Sequence, residues 1–184
     1  MTNWRDTPRN TGLLFAAISD ATVAVEHAKL AEGSGTDLEA IRLHIGHVLN
    51  ALDPTIQPKG PGSGYGVKKS AGGALQHIGF AMTAEGATEN IRVHGARVAA
   101  SLGNVTHWTE EATRVGREIL AATAADPIAP LVARLVELTT SISEGTDANH
   151  DGQIGPQPGE GGLRQAQAGM ELLMKGEGLQ NAPR

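Results

Sequence analysis

The alternation of apolar and polar positions predicts helices along the whole chain. Ile91, His94, Val98, Ser101, Val105, Trp108, Ala112, Val115 and Ile119 recur at alternating steps of three and four, which lines one helix face as a heptad seam. Leu131, Leu135, Leu138 and Ile142 repeat the pattern, and Glu144-Gly145 ends it. Upstream, Val23, His27 and Leu30 share one side of a helix expected over 13–30. Further helices are expected over 37–52, stopping at Asp53-Pro54, and over 68–84. Thr36 and Thr88 stand where N-caps are needed, with hydroxyls able to accept free N–H groups. Asp126-Pro127 reads as the start of the helix that carries Leu131, because proline fits a first turn. A short helix over 162–175 closes the pattern, between an irregular arm at 1–11 and a frayed tail at 176–184.

Part of this pattern occurs twice. Ile41-Arg42-Leu43-His44 returns as Ile91-Arg92-Val93-His94 at an offset of 50 (91 − 41), and His27 maps onto His77 by the same offset. A fixed period marks one supersecondary unit used twice, here an αα-hairpin over 13–52 and again over 68–124, joined by a crossover at 53–67. The expected fold is all-α, a single domain over 1–184. It is a four-helix bundle built from a duplicated hairpin of about 50 residues, followed by a helix–loop–helix appendage over 127–176. Gly60 to Gly66 followed by Lys68-Lys69-Ser70 invites comparison with a phosphate loop. It lacks Gly-Lys-Ser/Thr directly after the glycines and a preceding strand, and so reads as a flexible crossover.

Composition narrows the chemistry. Aromatic residues make up 3% of the chain and alanine fills much of its apolar content, so helices should pack closely on small side chains. A net charge of −5 argues against nucleic-acid binding. The absence of cysteine removes disulfides, thiolate-bound zinc, iron–sulfur clusters and c-type haem attachment. No stretch of about 18 apolar residues suggests a membrane span, and 1–14 does not read as a secretion signal.

The histidines carry the candidate chemistry. Each hairpin holds two of them 17 positions apart (44 − 27 and 94 − 77), at similar heights on antiparallel helices. If a pseudo-two-fold axis relates the hairpins, His27, His44, His77 and His94 meet at one level, with His47 one turn beyond His44. Imidazoles suit a transition metal such as zinc, copper or iron. Glu26 is the one obvious carboxylate nearby, so the Glu-x-x-His pattern of di-iron bundles is not matched. The alternative is haem b held by two histidines as an electron carrier, with Gly46, Gly79 and Gly95 making room for the macrocycle. Two phenylalanines in the chain would line a porphyrin poorly, which ranks haem below a bare ion. His107 and His150 have no repeat partner and read as surface residues. No nucleophile–base pair stands out, which favours binding over catalysis. A structural reading stands beside both, because duplication would copy a core histidine as readily as a ligand.

Asp147-Ala148-Asn149-His150-Asp151-Gly152-Gln153-Ile154 resembles the calcium loop of EF-hand and dockerin modules over about a dozen residues. The resemblance implies calcium ligands at Asp147, Asn149, Asp151 and the carbonyl of Gln153, with Gly152 allowing the sharp turn. Where that family has glutamate at position twelve this chain has Pro158, and Glu160 is the nearest carboxylate. The 127–176 segment is therefore expected to be helix–calcium loop–helix. A weak loop of this kind suits a calcium-rich setting, periplasmic or extracellular. A non-enzymatic, calcium-stabilised scaffold or interaction module is the remaining alternative.

Overall fold

In α1 (Leu13–Gly33), Ala17, Ala21, Ala24, Ala28 and Ala31 step by four and three and are all buried. Side chains this small let neighbouring helices approach the α1 backbone closely, and α1 packs against helices on several sides. Val23 and His27 are only half-buried, and Leu30 is exposed. The face expected to be inward is thus the flank of α1, and the core face is the alanine stripe.

The computed structural model describes residues 3–124 and 128–179. Among them the chain is all-helical, with six α-helices and no strand. After α1 come α2 (Leu38–Leu52), α3 (Val67–Thr83), α4 (Glu89–Ala121), α5 (Ala129–Glu144) and α6 (Leu163–Gly176). The expected start at Asp126-Pro127 lies outside the described residues, and α5 carries Pro130 in its first turn. α2 is capped by Asp37, whose carboxylate accepts the Glu39 and Ala40 N–H groups, so the cap falls one residue after Thr36. Thr88 caps α4 as its position suggests, accepting from Ile91 N–H.

The α4 seam is buried from Val98 through Ile119, its Ile91 and His94 being half-buried. α4 touches α2, α3, α5 and α6. At Gly116 a Cβ would come within 2.9 Å of Leu49 Cδ2, so glycine is what lets α4 lie so close to α2. α1 pairs with α2 and α3 with α4, while α5 packs on both α1 and α4 through buried Leu135, Leu138 and Ile142. α5 and α6 do not stand apart as an appendage, because their buried residues belong to the same core as those of α1–α4.

The crossover between α2 and α3 is tied down by buried polar side chains. Asp20, fully buried in α1, accepts from Ser63 N–H at 2.7 Å, Ser63 Oγ at 2.7 Å and Gly66 N–H at 2.9 Å. Asn50 donates to Gln57 O at 2.7 Å and accepts from Gly62 N–H at 2.9 Å. Gly66, at φ 83°, turns the chain into α3. No helix among the described residues is long and apolar enough to cross a membrane.

Candidate metal centre

His27 lies six residues before the end of α1 (33 − 27) and His44 six after the start of α2 (44 − 38). At ~1.5 Å per residue both stand ~9 Å from the intervening turn, so antiparallel packing sets them side by side. His47 follows His44 by three positions, which keeps it on the same face of α2. The three imidazoles meet on the half-buried flank of the hairpin, away from the alanine stripe and the centre of the core.

The nitrogens converge. His27 Nδ1 lies 3.0 Å from His44 Nδ1 and 3.3 Å from His47 Nδ1, and a ring nitrogen from each of the three falls within 4.8 Å of the others. An imidazole nitrogen carries either one hydrogen or one in-plane lone pair, so His27 Nδ1 can complete a linear hydrogen bond with one neighbour but not with both. A cation at the shared centre would engage all three lone pairs. For a tetrahedral ion with metal–nitrogen bonds of about 2.0–2.1 Å, ligand nitrogens stand about 3.3–3.4 Å apart. The two separations from His27 Nδ1, 3.0 Å to His44 and 3.3 Å to His47, are close to that value. The cluster could hold a metal ion.

Electrostatics point the same way. Burial, then the neighbouring His47 and His44, holds the His27 imidazole below its ordinary pKa, against the opposing pull of Glu26. Burial and then His44 lower that of His47. Both shifts favour neutral rings, the form that binds metal.

The second copy of the pair has other surroundings. The His77 ring packs against Trp4 at 4.5 Å between centroids and against Phe80 at 5.8 Å. His94 Nδ1 is buried without a hydrogen-bond partner among the described residues. Neither joins the three-histidine group. Of the five histidines proposed as ligands, the structure thus brings together His27, His44 and His47, and the four-histidine level across both hairpins does not form. His77 differs from its counterpart His27 in having the Trp4 ring of the N-terminal arm against it.

The acidic loop is organised by its own backbone. Asp147 Oδ1 accepts from Asp151 N–H at 3.1 Å and Asp147 Oδ2 from Gly152 N–H at 2.9 Å. Asn149 Oδ1 accepts from Asp151 N–H at 2.9 Å, and Asp151 Oδ1 from Gln153 N–H at 2.8 Å. Glu160 is 2% exposed, and its carboxylate accepts from Asn149 N–H at 3.3 Å, Gly155 N–H at 3.0 Å and Gln157 Nε2 at 2.8 Å. Glu160 therefore turns into the loop, as a longer loop would require, and there it braces the backbone. The residue that sequence reasoning missed is Asn104 of α4, which donates to Gln157 O at 2.8 Å and Gly161 O at 3.0 Å and accepts from Gly159 N–H at 2.8 Å. His107 and His150 are exposed. Comparison with protein-family models, with curated proteins and with solved structures finds no match to this chain.

Proposed function

We propose that the chain is a metal-binding protein in which His27, His44 and His47 hold one transition-metal ion, zinc or copper before iron. The observation that supports this most is the convergence of three Nδ1 atoms, at 3.0 and 3.3 Å from the His27 nitrogen. Three imidazoles with no carboxylate or thiolate in the group suit these borderline ions. The half-exposed setting leaves a fourth position to water or another small ligand. Equilibrium dialysis against zinc followed by elemental analysis tests the reading. One zinc per chain, lost in His47→Ala, is the expected result, and equal retention by the variant would contradict it.

Haem ranks lower on geometry. Two imidazoles on opposite faces of an iron porphyrin need their nitrogens about 4 Å apart, at metal–nitrogen bonds of about 2 Å, with the macrocycle between them. His27 and His44 face each other at 3.0 Å, without that gap.

A structural calcium ion in the 147–160 loop belongs to the same reading. Its support is the EF-hand-like spacing, the left-handed residues His150 (φ 60°) and Gly152 (φ 82°), and a Glu160 carboxylate drawn inward. Such a weak site fits a calcium-rich compartment outside the cytoplasm.

A further inference from the structure

The chain has two phenylalanines, and both are on the outside: Phe15 is 59% exposed and Phe80 57%. Large aliphatic side chains, Trp108 and Tyr65 are buried in the core, so two phenylalanines left outside are apolar surface still to be covered. Phe15 stands at the edge of a groove of about 500 Å³ between α1, α3, α4 and α6. Ile78 and Ala81 line it from α3, Ile91 from α4 and Met170 from α6. Its volume lies within the range of small-molecule sites. Flexible methionine on one wall can adapt to an occupant's shape.

One lining residue is polar. Glu177, just past α6, accepts through Oε1 from Thr88 Oγ1 and from Asn90 Nδ2 at 2.8 Å. Those two donors hold its carboxyl below the usual range, so it is an anion at neutral pH. Among the described residues, Oε2 receives no hydrogen bond and no cationic side chain lines the groove. An apolar trough with a single fixed negative charge is complementary to an apolar body that carries one positive charge.

We infer that this groove binds a small amphiphilic amine, its hydrocarbon part between Phe15, Ile78 and Met170 and its ammonium group on Glu177. The recognition is independent of the histidine site, because no residue of the metal centre lines the groove.

Calorimetric titration of the full chain, with metal removed by chelator, tests the inference using octylammonium, 1-octanol and octanoate. Octylammonium is expected to bind one-to-one and at least tenfold more tightly than octanoate, with about fourfold tightening for each added methylene. Glu177→Gln should abolish the preference for the amine while leaving octanol binding in place. Ala81→Trp should weaken all three ligands. If circular dichroism shows that this variant does not fold, Phe15→Ala, at an exposed position, should weaken them instead. His47→Ala should bind octylammonium as the parent does, which separates this groove from amine coordination at a metal. Octanoate binding as tightly as the amine, an unchanged order in Glu177→Gln, or no saturable binding of octylammonium would overturn the inference.

Discussion

His27 Nδ1 and His44 Nδ1 face each other at 3.0 Å across the α1–α2 hairpin. A metal ion bound between them would cross-link two helices that are otherwise joined by a short turn, and would bind the folded chain alone. Zinc at 100 times its dissociation constant is thus expected to stabilise the protein by about 2.7 kcal/mol in urea unfolding. His44→Ala should remove most of this increment, because one of three ligands is lost. An increment of the same size in the variant would place the zinc elsewhere.

The lowered pKa values of His27 and His47 give the metal-free protein a pH dependence of known sign. Between the folded-state value and the ordinary 6.5 the unfolded chain holds protons that the folded chain does not. Stability is therefore fully present above pH 6.5 and is lost as the pH falls through the folded-state values. Urea unfolding from about pH 8 to about pH 5 should show that decline, and it should be shallower in His27→Ala. An equally steep decline in the variant would assign the protons to other groups.

Asp20 is expected to matter more to stability than any ion pair on the surface. Asp20→Ala would strip acceptors from Ser63 N–H and Gly66 N–H in a fully buried setting and should cost about 3 kcal/mol in urea unfolding. Asp20→Asn keeps one acceptor and should cost less. By contrast Arg114→Ala, which removes an exposed pair with Glu118, should change stability by less than about 0.5 kcal/mol.

Calcium at millimolar concentration is expected to raise the melting temperature, and Asp147→Ala to cancel that rise, since a ligand held by the folded form alone stabilises it. Glu160→Ala should destabilise the protein even without calcium, by about 2–3 kcal/mol, because three donors lose a buried acceptor. A melting temperature indifferent to calcium would remove the ion and leave a loop braced by Glu160.

Helix content was legible wherever side chains were large and periodic. The seam of α4 from Val98 to Ile119 is buried as its spacing indicates, and so are Leu135, Leu138 and Ile142 of α5. The inward face of α1 was not legible, because a hydropathy pattern gives weight to Val23 and Leu30 over alanine, whereas close packing at the centre of the molecule selects the smaller residue. Three of the five expected ligands come together: heights on an antiparallel hairpin follow from helix rise, which sets His27 beside His44, and the i, i+3 spacing keeps His47 on the same face. The same arithmetic applies to His77 and His94, but Trp4 packs on the His77 ring, a long-range contact that spacing does not encode. The tethering of the crossover by Asp20 was hidden for the same reason, because its hydrogen-bond partners lie 43 and 46 residues away.

X-ray absorption spectroscopy on the zinc-loaded protein tests the three-histidine centre most directly, because imidazole rings give a distinctive outer-shell pattern and the metal–nitrogen distance is measured itself. The expected spectrum shows three imidazole nitrogens at about 2.0–2.1 Å and one further light ligand, with imidazole scattering reduced in His27→Ala. A shell made of oxygen with one imidazole or none, or a spectrum unchanged in His27→Ala, would contradict the assignment of His27, His44 and His47 as the metal site.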